Sequence, residues 1–260
     1  QVRGPIPPGF EGDINTLPSH SFVTYVRIVT QAEWDANPPQ EPQLPPGDGI
    51  IVLSAGHWGN DNPFTHNGQA RSEAADNLAM ALAVQTILQN RGHTVRMTRT
   101  GPNHIANRAQ WARNQNPDIF VSLHRNGGTP AARGLEMVIA PAVGQTTVPG
   151  QNPISSASAN SPSGRAAQAM QNRIWQAWNQ SGTATAGASG ANRGVRYLGS
   201  TNWYSTDPAF RAMRASGIPV VVPEIGFYTN HADNILFDRY MQDGTLPIAI
   251  AEGIIAALGS

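Results

Sequence analysis

The stretch Gly47-Asp-Gly-Ile-Ile-Val-Leu-Ser-Ala-Gly-His-Trp-Gly-Asn-Asp61 decides how this chain reads. Its apolar run Ile50-Ile-Val-Leu53 lies between Pro45-Pro46-Gly47 and Gly56, and it is short, β-branched and free of polar interruption. Those are the marks of a central strand covered on both faces. The strand then releases Gly56-His57-Trp58-Gly59, and open α/β sheets keep their chemistry where the strands end. A loop histidine alone is only a hydrogen-bonding group, so its meaning depends on what else reaches the same rim.

Outward from this stretch the pattern repeats. A polar loop, residues 60–68, leads to a helical pattern from about Arg71 to Asn90, with Ala75, Leu78, Ala79, Leu82 and Thr86 on one face and Gly92 as its stop. Thr94-Val-Arg-Met-Thr98 is the next strand, which makes a parallel crossover. A second helix, about Ile105 to Asn114, leads to the strand Ile119-Phe-Val-Ser-Leu123, and Leu135-Glu-Met-Val-Ile139 is a further strand. Pro141 to Ser163 has no apolar period and reads as an exposed insertion. A helix from about Arg165 to Asn179, with Ala169, Ile174, Trp175 and Trp178 on its apolar side, precedes the small-residue loop Thr183 to Asn192. There follow a short strand around Val195 to Leu198, a helix begun by Asp207-Pro208, the strand Ile218-Pro-Val-Val-Val222 and helices over Asp233–Met241 and Leu246–Leu258. The alternation predicts an α/β fold: one mostly parallel twisted sheet of about six strands with helices on both faces. Residues 1–48 form an extended leader rich in proline and glycine. Within it Ser21-Phe-Val-Thr-Tyr-Val-Arg-Ile-Val-Thr30 has strand composition and is expected to add an edge strand or pack on the main domain, residues 49–260.

Composition narrows the function classes. The 17 basic residues, all arginine, balance 17 acidic ones, which leaves no basic stripe for nucleic acid. Cysteine is absent, so disulfides and thiolate sites are excluded and any metal must be held by His, Asp or Glu. No apolar run is long enough to cross a bilayer. A monomer acting outside the cytoplasm, secreted or periplasmic, is the expectation.

Three apolar strands carry polar groups to their C-terminal ends: the first delivers His57, the third His124 in Ser122-Leu-His-Arg-Asn126, and the last Glu224 in Pro223-Glu-Ile-Gly-Phe227. In a parallel sheet those ends share one rim. Glu73 opens the first helix at the same rim, either as a partner of the helix dipole or as a ligand. Two imidazoles and a carboxylate form a catalytic zinc set with a fourth position for water. His66 is either a solvated loop residue or part of the groove; His20, His93, His104 and His231 carry no assigned chemistry. Arg108 either supports the site or is solvated, and Asp61 either orients the His57 loop or ends a turn.

With these residues in order, the chain over about 49–258 resembles the zinc-dependent N-acetylmuramoyl-L-alanine amidases, type 3, a family of bacterial cell-wall amidases. The family's strand and Gly-His-Gly-Gly loop with a downstream Asp is similar to Ile51 through Asp61, and its helix-opening metal glutamate falls on Glu73. Its Thr-Arg appears as Thr98-Arg99, its arginine-to-asparagine helix as Arg108 to Asn114, and its Ser-Ile-His-Ala-Asn as Ser122-Leu-His-Arg-Asn126. Gly134-Leu-Glu136 and Glu224-Ile-Gly-Phe-Tyr-Thr-Asn230 fit its last blocks.

The resemblance implies one Zn2+ ion on His57, Glu73 and His124, with Glu224 as general base and then acid. It also implies hydrolysis of the amide between the lactyl group of N-acetylmuramic acid and L-alanine in peptidoglycan. Trp58 stands where the family has a glycine and is expected to wall the groove for sugar or peptide. Arg125 stands where the family has a small residue and bears on substrate preference, and Asn126 is a candidate helper at the tetrahedral oxygen. The insertion lacks the amphipathic period of the plug helix that covers the zinc in some cell-division members. Two rival readings are a zinc peptidase or deacylase of similar architecture acting on another amide, and a non-catalytic wall-binding module.

Overall fold

Period-two alternation along three adjacent strands determines where the chemistry lies. The computed structural model describes residues 49–141, 154–179, 192–199 and 202–260, and the backbone of 2–5 and 26–29. The chain divides into two units, 1–45 and 46–260. In the first, β1 (Val2–Pro5) and β2 (Val26–Val29) form a two-stranded parallel sheet. Of the stretch Ser21 to Thr30, residues 26–29 are described; they form β2 and pair with β1.

The second unit holds β3 (Ile50–Ala55), β4 (Pro63–His66), β5 (Gln69–Ser72), β6 (Thr94–Met97), β7 (Ile119–Asn126), β8 (Leu135–Ile139), β9 (Asn192–Tyr197) and β10 (Val220–Phe227). Its helices are α1 (Glu73–Asn90), α2 (Arg108–Asn114), α3 (Ser156–Ala159), α4 (Pro162–Trp178), α5 (Trp203–Thr206), α6 (Pro208–Ala215), α7 (His231–Gln242) and α8 (Thr245–Leu258). Six strands form one sheet in the order β6-β3-β7-β10-β8-β9. The first four run parallel; β8 is antiparallel to β10, and β9 runs with β8. From β3 the chain crosses first to β6 and then back to β7 on the other side, so the crevice of such a sheet lies between β3 and β7.

The sheet separates two unequal apolar clusters. Ile51 and Leu53 of β3, Ile119, Val121 and Leu123 of β7, and Val221 and Ile225 of β10 face the larger one, with side chains from α1, α4, α7 and α8. The alternate residues Val52, Phe120, Val220 and Val222 face the smaller one, with Ala109, Tyr204, Phe210 and Met213. Continuing the alternation puts Ser122, His124 and Glu224 on the side of the smaller cluster and Arg125 on the other. Register makes His124 and Glu224 direct neighbours across β7 and β10, and Glu224 and Glu136 direct neighbours across β10 and β8.

Three expectations are corrected. The inward face of α1 is Glu73, Asn77, Met80, Ala81, Val84 and Leu88, whereas Ala75, Ala79 and Thr86 are exposed. Apolar and small residues are spread around this helix, so its period does not select a face. Residues 63–72 hold the antiparallel hairpin β4–β5, not a loop and the start of a helix. The last strand runs through Pro223 to Phe227, with a register shift between Glu224 and Phe227, although a proline ordinarily ends a strand. Of the expected insertion, 142–153 lies outside the described residues, as does most of the small-residue loop. The rest holds α3 with Ser158 buried, and Ser163 accepts a hydrogen bond from the Val220 amide.

Arg125 is a fourth correction. Its parity turns it away from His124, and it is 1% exposed. Nη1 donates to Asp76 at 2.6 Å, Nη2 donates to Asn234 at 2.7 Å, and the guanidinium lies 4.1 Å from the Phe237 ring centroid. It joins β7 to α1 and α7 instead of meeting substrate. Removing one partner of a buried ion pair leaves the other charge uncompensated. Arg125→Ala is therefore expected to lower unfolding free energy by about 3–5 kcal/mol in urea titrations, against a small change for Trp58→Ala, whose indole is 44% exposed.

Candidate metal centre and cleft

His57, Glu73 and His124 reach one point from three elements. His57 follows β3 with φ at 56°, a left-handed backbone uncommon for a side chain of this size and frequent at functional sites. Ser72 caps α1 by accepting from the Ala75 amide at 3.2 Å, which fixes Glu73 as the first helical residue. His124 fits because residue 56 is glycine; a Cβ there would overlap the imidazole. Arg99 secures the loop, donating to the carbonyls of Ala55, Gly56 and Ala74 at 3.0, 3.0 and 2.6 Å.

Glu73 is 2% exposed, and its oxygens are surrounded by donors. Oε2 accepts from Asn62 Nδ2 at 2.6 Å and lies 3.2 Å from His57 Nε2. Oε1 accepts from Asn77 Nδ2 at 3.1 Å and the Arg125 amide at 3.2 Å, and lies 3.1 Å from His124 Nδ1. Burial raises the Glu73 pKa, but the hydrogen bonds from the two imidazoles outweigh it and hold the carboxyl far below the usual range. His57 is raised, chiefly by its bond to Glu73; His124 is lowered, chiefly by burial.

One ligand atom from each of the three residues lies within 4.8 Å of the others. The two imidazole nitrogens each stand against a different Glu73 oxygen, at 3.1 and 3.2 Å. An ionised carboxylate and a neutral buried imidazole are the ligand forms a divalent ion requires, so these residues fit a metal ion.

Tyr204 completes the support of His124. Its hydroxyl is 3.0 Å from His124 Nε2 and 2.7 Å from Ser122 Oγ, all buried. With a metal ion on Nδ1, Nε2 would carry the proton and donate it to the phenol oxygen, which would fix ring and tautomer. Neither Tyr204 nor the amides of Asn62 and Asn77 is marked by the sequence reading. The only sign of Tyr204 is an aromatic pair, Trp203-Tyr204, inside an otherwise polar run.

The cluster opens into a cleft of about 860 Å3. His57, His124, Val222 and Glu224 line it, together with Trp58, His104 and Arg108 and with residues from Asn202 to Ala209. His104, left without chemistry in the sequence, packs edge-on to Trp58 with ring centroids 4.4 Å apart. Asn126 does not line the cleft; its amide nitrogen donates to Glu136 at 2.9 Å. Asp61 Oδ2 lies 3.8 Å from His57 Nδ1, at the far side of that ring from Glu73. His66 is buried in β4 beside Asp238 and the His231 ring, and it lines no part of this cleft. Glu224 is raised well above the ordinary carboxyl range, first by burial and then by repulsion from Glu73 and Glu136.

The fold and the cluster define an α/β protein with a His–Glu–His group that could hold a metal ion at the carboxyl rim of its sheet. The chain belongs to the N-acetylmuramoyl-L-alanine amidase family, whose model matches residues 51–258. It is 35% identical over 95 residues to the N-acetylmuramoyl-L-alanine amidase AmiA of Escherichia coli (strain K12), an alignment covering 35% of this chain and 32% of AmiA. The chain thus spans about a third of the length of that relative. The fold is similar to the catalytic domain of CwlV, an N-acetylmuramoyl-L-alanine amidase from Bacillus (Paenibacillus) polymyxa var. colistinus, with a TM-score of 0.57 and 25% identity, over 79% of this chain and 96% of that one. It is also similar to the amidase AmiC2 of Nostoc punctiforme, with a TM-score of 0.58 and 23% identity, over 83% of this chain and all of that one.

Two measurements test this geometry. A raised carboxyl holds its proton more tightly folded than unfolded, so its stabilising contribution is full below the unfolded pKa and is lost as pH rises through the folded value. The metal-free Glu224→Gln variant should therefore melt above the metal-free parent at pH 8, with the gap closing towards pH 4; a gap that stayed constant with pH would contradict the assignment. Tyr204→Phe should weaken metal affinity about 10–100-fold in competition with a chromogenic chelator, with the circular dichroism of the fold kept.

Proposed function

We propose that this chain hydrolyses the amide between the lactyl group of N-acetylmuramic acid and L-alanine in peptidoglycan, using one zinc ion held by His57, Glu73 and His124. The observation that carries the reading is the placement of Glu224: one strand over from His124, on the same face, lining the same cleft. Zinc would supply the Lewis acidity that polarises the lactyl carbonyl and acidifies water. Glu224 takes the proton of the attacking water and returns it to the departing amine of L-alanine. Its raised affinity for a proton suits that exchange, and a divalent cation beside Glu73 would cancel part of the repulsion and bring Glu224 back towards neutral pH. Asn62 and Asn77 hold the Glu73 carboxylate in place, while Tyr204 holds the His124 ring.

Trp58, largely exposed at the cleft, offers an aromatic surface to sugar or peptide. A substrate in the wall places the enzyme outside the cytoplasmic membrane, secreted or periplasmic, acting as a monomer. Among the described residues no helix is long and apolar enough to cross a membrane.

Digestion of isolated cell walls should expose new amino-terminal L-alanine. Other new termini would point to a peptidase instead. A chelator should abolish the activity, and added zinc should restore it. Glu224→Gln should keep its metal content while losing about 10²–10⁴-fold in kcat; wild-type turnover in that variant would remove Glu224 from the role of base.

A further inference from the structure

Arg108 is the single arginine lining the cleft, and its charge has no partner. The guanidinium carbon lies 4.6 Å from the Trp203 ring centroid and 5.8 Å from that of Trp58. Among the described residues no side chain or carbonyl accepts a hydrogen bond from it, and its Nη1 is shut off from solvent with no acceptor. The nearby carboxylates are engaged elsewhere. Asp207 accepts from Trp203 Nε1 at 3.1 Å and from the Ala209 amide at 2.8 Å, and Asp61 stands against His57. A guanidinium set against two indoles, half-buried and with its fork unmatched, is poised for an acceptor that arrives in the cleft. The planar fork is matched by a carboxylate, bound through two parallel hydrogen bonds.

We propose that Arg108 is a specificity-determining residue, which pairs with a carboxylate of the stem peptide on the amine side of the scissile bond. This deepens the amidase reading and rests on it. The guanidinium stands 5.8 Å from the ring centroid of Trp58, the residue after His57, and lines the same cleft as His57 and His124. A residue of extended peptide spans about 3.3–3.6 Å, which lets an acid one or two residues beyond the cleaved amide reach the guanidinium. Arg108 also bears electrostatically on His57, His124 and Tyr204, consistent with that nearness.

The test uses the zinc-loaded enzyme and two synthetic substrates, N-acetylmuramoyl-L-alanyl-D-glutamate with its α-carboxyl free, and the same compound with that carboxyl amidated. The wild type should prefer the acid by about 10–100-fold in kcat/KM, mostly through KM. Arg108→Gln should bring the ratio near one, and Arg108→Lys should leave an intermediate preference. Because the ratio is read within each variant, a general loss of activity or folding cancels. A wild type indifferent to the carboxyl overturns the proposal, as does a variant with the wild-type ratio; the latter would mean that Arg108 serves only packing or the developing oxyanion. If neither compound is cleaved, the amidase reading fails first. Calorimetric titration with L-alanyl-D-glutamate and its amide then decides separately, and equal binding of the acid by wild type and Arg108→Gln overturns the role of Arg108.

Discussion

An ionised carboxylate sealed away from water is the constraint on which this site depends. Glu73 lies at a helix start, almost fully buried, where an unpaired charge would cost several kcal/mol. It is kept there by groups from separate places: Asn62 from the loop, Asn77 one turn along the same helix, the Arg125 amide from β7, and the two imidazoles. Each contact fixes the carboxylate and is fixed by it. The loop after β3, the start of α1 and the end of β7 are therefore a single unit, pegged from behind by Arg99.

The two acids of the site are pushed in opposite directions by their surroundings. Glu73 has donors on both oxygens and stays ionised. For Glu224 no donor is found among the described residues; it faces two other carboxylates and is driven to hold its proton. Environments that separate like groups in this way suit them to different tasks. Strand register produces the contrast, because it lines up Glu136, Glu224 and His124 side by side, and Glu136 is in turn neutralised by Arg193 and Arg196.

The sheet and the four residues at its rim were legible because they rest on local signals: uninterrupted β-branched runs, glycine after a strand, and polar groups at run ends. What was not legible depends on which face looks inward. Arg125 follows His124 directly, and only strand parity, applied with the sheet in view, sends it to the opposite side to brace two helices. The face of α1 was misjudged because apolar and small residues are spread around its whole circumference. Tyr204 and Arg108 acquire meaning only through segments distant in sequence, and the β4–β5 hairpin hides in a polar run with no alternation.

The unequal clusters on the two sides of the sheet have an evolutionary corollary. The long helices α1, α4 and α8 pack against the larger, whereas the cleft opens beside the smaller, walled partly by the short elements α2, α5 and α6. The larger share of the buried apolar side chains thus lies on the side away from the cleft. Residues such as Trp58 and His104 can drift with little penalty to the scaffold, so a lineage can retune what the cleft admits while the cluster behind them is inherited unchanged.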